Sequence, residues 1–182
     1  KTAQYSVFGL CGLVMSLTVD EIVRRNALTV PDRIAATMEC VELTYRELDT
    51  LADQMAHALR AKGLGYQQRV ISWSENNLLL LPLFLATAKL GAVFAPINAR
   101  LSTEEAARLV QLADPALIIT DGPRKELGAG VAKAAGVPML SLEDTQSDSS
   151  LPALARAAPR EPMKDAQLNE RDAQVLFFTS GS

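Results

Sequence analysis

The stretch that decides how this sequence folds is Val175-Leu176-Phe177-Phe178-Thr179-Ser180-Gly181-Ser182. Its four apolar residues are rich in β-formers and predict a buried strand, and hydroxyl side chains around a glycine follow at once. Such a turn presents backbone N–H groups and hydroxyls to a phosphate, because glycine lets the anion approach closely. The same pattern is more often an ordinary surface turn, and it lacks the Gly-Lys-Ser/Thr of a Walker motif. The choice between a phosphate-binding loop and a plain turn therefore depends on the residues upstream.

The composition is that of a globular chain. With 182 residues, of which 48% are hydrophobic and 21% charged, the chain can bury a core and lies near the upper end of the size of one domain. A formal net charge of -3 argues against nucleic-acid binding, which needs clustered Lys and Arg. This balance is typical of a cytosolic enzyme, so we expect a cytoplasmic location.

The metal-ligating residues are few and scattered. Cys11 and Cys40 form no Cys-x-x-Cys pair, and His57 is the single histidine, so we predict no metal site. Both cysteines are predicted to be free thiols, with a disulfide between them as the less favoured alternative.

The first 16 residues differ from the rest. The run from Tyr5 to Met15 is apolar, but an initiator Met and an Ala-x-Ala cleavage site are both missing from this segment, which argues against a signal peptide. The periodic sequence begins just after Met15. We therefore expect residues 1–16 to be a tag or an extension and residues 17–182 to form the folded body.

Helix and strand signals alternate along residues 17–142. Three Ser/Thr-x-x-Glu capping boxes, Thr18–Glu21, Thr44–Glu47 and Ser102–Glu105, predict helix starts. The predicted strands cover residues 34–38, 40–43, 69–73, 92–97, 116–120, 137–142 and, at the end, 174–178. Short-range alternation of strands and helices predicts βαβ crossovers, a parallel sheet and an α/β fold.

Two segments stand out from this alternation. Residues 77–90 are apolar nearly all round but too short to cross a bilayer, so we expect a helix buried between layers. Asn76 is its predicted cap, and Pro82 predicts either a kink or a later start. Residues 143–172, rich in Ser, Pro and charge, predict an exposed loop with a helical turn at residues 151–157.

Three segments together carry a family resemblance. Leu43-Thr44-Tyr45-Arg46-Glu47-Leu48 is similar to the Leu-Thr-Tyr-x-Glu-Leu opening motif of the adenylate-forming superfamily, which includes acyl-CoA synthetases, luciferases and adenylation domains. Lys89-Leu90-Gly91-Ala92-Val93-Phe94-Ala95-Pro96-Ile97-Asn98 resembles its second motif, Lys-x-Gly-Ala-x-x-x-Pro-x-Asn/Asp. Phe178-Thr179-Ser180-Gly181-Ser182 resembles the start of its signature phosphate loop. The resemblance covers roughly Leu17 to Ser182 and implies the N-terminal portion of the superfamily's large domain, with layered sheets and helices.

The resemblance also implies a reaction. The run from Pro96 to Leu101, followed by Ser-Thr-Glu-Glu, looks like the fatty-acyl and aryl CoA ligase branch, which joins a carboxylic acid to AMP with ATP and Mg²⁺ and then to CoA. Thr179, Ser180, Gly181 and Ser182 are implied to bind the β- and γ-phosphates of ATP. No catalytic or metal-ligating residue is expected in this chain.

Other implications concern the whole protein and its alternatives. The chain resembles only the N-terminal third of such a ligase, so we expect it to be inactive by itself, and a homodimer is a family expectation. The alternatives are an adenylation domain of another adenylate-forming enzyme and a non-catalytic α/β binding module. A further alternative is a peripheral membrane protein that uses Tyr5–Val14 and the leucine-rich helix at residues 77–90, although the basic face that such a protein needs is missing. Lys89 and Arg100 are expected to be helix-terminal or solvated charges, and His57 a solvent-facing residue.

Overall fold

The structure is a computed structural model, and it describes residues 18–163, 168–169 and 171–179. Residues 1–16 and three of the predicted phosphate-binding residues, Ser180, Gly181 and Ser182, lie outside this described part. In chain order the helices and strands are α1 (Val19–Thr29), β1 (Ile34–Met38), β2 (Val41–Thr44), α2 (Tyr45–Ala61), β3 (Arg69–Trp73), α3 (Leu80–Lys89), β4 (Val93–Ile97), α4 (Thr103–Ala113), β5 (Leu117–Thr120), α5 (Lys125–Ala135), β6 (Met139–Ser141) and α6 (Leu151–Ala157).

A parallel sheet with strand order β4-β3-β5-β6 occupies the centre of the described chain. Successive strand residues point to opposite faces, and the sequence fills both faces with apolar side chains. Val70 and Ile119 pack with α2, α3 and α6 on one face, whereas Ile71 and Ile118 pack with α4 and α5 on the other. The predicted α/β fold with a parallel sheet is confirmed, because a parallel sheet needs helices on both faces.

The helix α3 begins later than the apolar run. Pro82 is its third residue, where a missing N–H is harmless because the first-turn amides have no acceptor within the helix. The later start is therefore confirmed. The N-cap of α3 is Leu79, which makes no side-chain capping bond, so the prediction that Asn76 caps this helix is wrong. The Oδ1 atom of Asn77 accepts from the N–H of Leu79 at 2.8 Å in the turn before the helix. Leu83 and Leu85 are buried, as predicted for a helix between layers.

The segment after β6 is less exposed than predicted. The helical turn at residues 151–157 is confirmed as α6. The prediction that residues 143–172 are exposed throughout is wrong, since Leu151, Ala155 and Met163 are buried. Their side chains join the core with α2, because an amphipathic seven-residue helix has an apolar face to bury.

Two polar contacts fix the end of this segment on α2. The N–H of Met163 donates to Asp53 Oδ1 at 2.9 Å, and His57 Nε2 lies 3.0 Å from the carbonyl oxygen of Glu161. His57 is half-buried, so its prediction as solvent-facing is wrong. The predicted division into residues 1–16 and residues 17–182 is not tested by these contacts and remains a prediction.

The first helix and hairpin complete the fold. Thr18 is the N-cap of α1 but makes no side-chain capping bond in the described structure, so this predicted box is wrong, whereas the boxes at Thr44 and Ser102 both form. The two strands predicted around Glu39 are present as β1 and β2, and the structure pairs them antiparallel. Cys40 is an exposed free thiol, and Cys11 lies outside the described residues. No described helix is both long and apolar enough to span a membrane.

Candidate functional site

The carboxyl ends of the parallel strands meet at one edge of the sheet. Because β3, β4 and β5 run in the same direction, the loops that follow them, residues 74–76, 98–100 and 121–124, lie at this edge. A cleft of about 570 Å³ opens here, and the residues that line it include Ser72, Ser74, Glu75, Asn98 and Arg100. Open α/β sheets bind ligands at this edge, so it is the candidate site.

The segment that ends the chain runs beside β4. The N–H of Phe94 donates to the carbonyl oxygen of Gln174 at 2.9 Å, and the N–H of Leu176 donates to that of Phe94 at 3.0 Å. Val175 and Phe94 thus form a parallel bridge on the side of β4 away from β3. Of the strand predicted at residues 174–178, the structure contains only this bridge. The prediction that the strand is buried is also wrong for Phe177, because this residue is 72% exposed.

A second cleft lies between this segment, the end of β4 and α4. It measures about 410 Å³ and is lined by Phe178 and Thr179 together with Leu109 and Arg108 of α4. Pro96, Ile97 and Asn98 line both clefts. Of the four residues predicted to bind phosphates, Thr179 is described and exposed, and it lies beside the residues that end the second motif. The phosphate contacts themselves remain a prediction.

One buried arginine joins the three loops of the edge. Arg124, only 9% exposed, donates from Nε to the carbonyl oxygen of Ala99 at 2.8 Å, from Nη1 to Asp121 Oδ2 at 2.7 Å and from Nη2 to Glu75 Oε1 at 3.0 Å. Asp121 Oδ2 also accepts from the N–H of Glu75 at 2.7 Å. The planar guanidinium suits such a fork of acceptors, and it fixes the loops after β3, β4 and β5 to one another.

Sequence reasoning missed this hub. Asp121 could have been found, because an Asp before Gly122-Pro123 is a typical helix-start residue, and its Oδ1 does accept from the N–H of Arg124. Arg124 carries no local signal, since its partners Glu75 and Ala99 are 49 and 25 residues away in sequence.

Two serine hydroxyls of the first cleft were also missed. Ser72 is 3% exposed, and the hydroxyls of Ser72 and Ser74 have no hydrogen-bond partner among the described residues. The indole N–H of Trp73 between them is likewise buried and without a partner in the part of the chain that the structure describes. Since unpaired buried polar groups are uncommon, both serines are candidate ligand contacts.

The charged residues near the site fall into two groups. Arg100 is exposed at the first cleft, in agreement with its predicted solvation. Lys89 is not solvated: its Nζ lies 2.7 Å from Asp49 Oδ1 and 2.9 Å from Asp53 Oδ1 in the core. Lys89 is the last residue of α3, so the helix-terminal alternative of its prediction is confirmed. The solvated alternative is wrong, because the end of α3 packs against α2.

Glu105, which lines the second cleft, has a pKa below its ordinary value. The backbone N–H of Ser102 and then its hydroxyl lower the pKa of this carboxyl by hydrogen bonding, and Arg108 adds a smaller lowering effect. Among the described residues, no group of three His, Cys, Asp or Glu side chains could hold a metal ion.

Sequence comparison identifies related proteins. The family model "AMP-binding enzyme" matches residues 23–182. The long-chain-fatty-acid–CoA ligase FadD13 of Mycobacterium tuberculosis is 29% identical over 161 residues, which cover 87% of this chain and 32% of that protein. A dimodular nonribosomal peptide synthase of Bacillus subtilis is 26% identical over 158 residues, or 87% of this chain and 6% of that protein. The chain thus spans about a third of the length of the first of these relatives.

Structural comparison agrees with the sequence. The ATP-bound crystal structure of MatB from Rhodopseudomonas palustris superposes with a TM-score of 0.69 at 26% identity, covering 78% of this chain and 28% of that one. Fold, motifs and family match coincide over most of the chain, and we conclude that it belongs to the AMP-binding enzyme family, the adenylate-forming superfamily that its motifs resemble.

Proposed function

We propose that this chain is the N-terminal part of an acid–CoA ligase that activates a carboxylic acid with ATP, and we propose a fatty acid as its substrate. The acid attacks the α-phosphorus of ATP, which gives an acyl-adenylate and pyrophosphate, and the thiol of CoA then displaces AMP to give a thioester. The observation that carries the proposal is the course of residues 174–179 along β4. It brings Thr179 to the carboxyl edge of the sheet, beside Asn98.

The proposed role of this edge is electrostatic. Much of the barrier to phosphoryl chemistry is removed by holding charge and aligning reactants. Thr179, with Ser180, Gly181 and Ser182, would donate hydroxyl and amide N–H groups to the β- and γ-phosphates. Mg²⁺ in nucleotide sites is bound by one or two carboxylates, waters and phosphate oxygens, so Thr179 would contact the phosphates that carry the ion and would not ligate it. When bound, the ion would neutralise phosphate charge.

A second candidate is the adenylation domain of a peptide synthetase. The match to the Bacillus subtilis peptide synthase supports it, because such domains share the adenylation half-reaction. The sequence from Pro96 to Leu101 favours the CoA ligase, as does the FadD13 match. A non-catalytic α/β module is a third reading. The cytoplasmic location, the homodimer and the inactivity of the 182-residue chain by itself remain predictions.

The test is acid-dependent release of pyrophosphate by the complete protein that contains this chain. With ATP, Mg²⁺ and a panel of fatty and aromatic acids, we expect release with at least one acid and formation of its CoA thioester when CoA is added. Release without thioester formation would favour the adenylation domain. No release with any acid would contradict an adenylate-forming activity, and turnover by the 182-residue chain alone would contradict its predicted inactivity.

The phosphate-binding role of Thr179 has its own prediction. A hydrogen bond from a neutral donor to a charged group contributes about 1.5–3 kcal/mol, so Thr179→Ala should raise the KM for ATP by about 10- to 100-fold. Thr179→Ser keeps the hydroxyl and should stay close to the unmodified protein, as should Thr29→Ala at the exposed end of α1. An unchanged KM for ATP in Thr179→Ala would remove this residue from the proposed site.

A further inference from the structure

Two side chains hold residues 172–176, the part of the chain that runs back to β4 before Thr179. We call these residues the return segment. The phenol O–H of Tyr66 donates to Asp172 Oδ1 at 2.7 Å. The Nε2 atom of Gln67 donates to the carbonyl oxygen of Ala173 at 3.2 Å and to that of Gly91 at 3.0 Å. We call Tyr66 and Gln67 the return clamp, because they join the turn before β3 to residues 172–173.

The backbone of Gln67 is held in an unfavourable conformation. Its φ of 55° lies in the left-handed region, which costs free energy for a residue with a Cβ atom and nothing comparable for glycine. In this conformation the backbone N–H of Gln67 donates to the carbonyl oxygen of Gly91 at 2.7 Å. The side-chain amide reaches the same oxygen and continues to Ala173. A glycine would fit this backbone better but could make no contact with Ala173.

Gly91 is the residue against which the return clamp packs. It has a φ of 62°, and a Cβ atom there would lie 2.6 Å from Tyr66 Cδ2 and 2.9 Å from Leu168 Cδ2. The ring of Tyr66 and the side chain of Leu168 therefore both pack against the bare backbone of Gly91. This glycine of the second motif allows the return segment to approach the start of β4.

The return segment needs such contacts to keep its register. In the described part of the chain, two backbone hydrogen bonds join residues 174–176 to β4, and both involve Phe94. A slip by one residue reverses which face each side chain occupies. Thr179 lies six residues beyond Ala173, or about 20 Å along an extended chain at about 3.3 Å per residue. An error of register at Ala173 would thus be carried to Thr179.

We propose that Tyr66 and Gln67 are positioning residues that set the register of residues 172–176 on β4 and thereby the position of Thr179, the first hydroxyl residue of the proposed phosphate loop. The clamp lies at the amino end of β4, whereas the two clefts lie at its carboxyl end, so it would act only through the segment that it holds. The part that concerns the phosphate loop rests on the proposed ATP-binding function. The part that concerns register does not.

The register is tested by hydrogen–deuterium exchange of the complete protein. Gln67→Gly relieves the left-handed backbone and removes the amide, so it separates the clamp from general stability. We expect peptides that cover residues 174–179 to exchange about tenfold faster, with a thermal midpoint that is unchanged or higher. Tyr66→Phe, which keeps the ring over Gly91, should change exchange in the same direction by less.

The matched control is Gln68→Gly, because the side chain of Gln68 contacts the N–H of Gly65 within the same turn. Exchange at residues 174–179 should be unchanged in this variant. Unaltered exchange in Gln67→Gly, or equal acceleration in both variants, would overturn the register role.

The consequence for the site is tested separately. If the register sets the phosphate loop, Gln67→Gly should raise the KM for ATP about fivefold while the KM for the acid stays constant. A purely structural role would lower the active fraction and leave both KM values unchanged. An enzyme without acid-dependent turnover would contradict the proposed function, yet the exchange result would still decide the register. Faster exchange with an unchanged KM for ATP would overturn the link to the phosphate loop.

Discussion

Lys89, the first residue of the second motif, forms a buried charge cluster that its sequence context does not indicate. Its position at the end of an apolar helix suggests a solvated charge, since a lysine in the last turn is favoured by the helix dipole. The structure instead buries it to 2% exposure between two carboxylates, Asp49 and Asp53. Both acids lie on α2, one helical turn apart, and Asp53 also accepts from the N–H of Met163. Such a cluster could not be predicted from sequence, because its members are brought together only by the packing of α2 on α3.

Removal of the lysine charge should destabilise the fold strongly. In Lys89→Met two carboxylates would remain in the core without a counterion, so we expect the free energy of unfolding to fall by about 3–5 kcal/mol. Urea denaturation followed by circular dichroism measures the change. Lys62→Met, at an exposed lysine beyond α2, is the control. A loss no larger than that of the control would show that the cluster is not a stabilising feature.

At the scale of elements, helix starts were predictable where the local chemistry was complete. The boxes Thr44–Glu47 and Ser102–Glu105 form with both reciprocal hydrogen bonds, as their sequences predict. At Thr18 the same pattern does not form, and the carboxylate of Glu21 lies 3.4 Å from Arg25 Nε. A competing i,i+4 ion pair is a physical reason for the difference, and a four-residue pattern does not reveal it.

The formed boxes predict a dependence on pH. The backbone N–H and then the hydroxyl of Thr44 lower the pKa of Glu47. The stabilisation of the start of α2 is thus complete above the ordinary carboxyl pKa of about 4.3 and is lost as pH falls through the lower folded pKa. NMR titration should show the amide signals of Thr44 and Glu47 shifting below that pH. Glu47→Gln keeps a capping acceptor without a titrating group and should abolish the shift. A midpoint above the ordinary value in the unmodified protein would contradict the account.

At the scale of the whole molecule, the site depends on contacts between elements. Repeated alternation of apolar strands and helices was enough to predict a parallel α/β sheet, because a strand such as β5 carries apolar side chains on both faces and needs cover on both. The strand order was not readable, since βαβ units of similar length fit several orders. Burial of Met163 and the hub at Arg124 escaped prediction for the same reason: their partners are remote in sequence. Thr179 could be singled out from sequence because a local pattern, four apolar residues followed by hydroxyl residues and a glycine, marks it.

Loss of the hub should therefore affect three loops at once. In Arg124→Met the buried carboxylate of Asp121 loses its guanidinium partner, and we expect the free energy of unfolding to fall by about 3 kcal/mol. Hydrogen exchange should increase together in the loops after β3, β4 and β5. Arg160→Met, at an exposed arginine, is the control. Faster exchange confined to the loop after β5 would show that the guanidinium does not couple the loops.

Trp73 gives this edge of the sheet an optical signal. It is the single tryptophan of the chain, it is 2% exposed, and it ends β3 between the two serines of the first cleft. An indole shielded from water emits at shorter wavelength than an exposed one. The tryptophan emission of this chain therefore originates from one position, next to the loops that Arg124 joins. Changes in emission on adding a nucleotide would be read at the candidate site without a label.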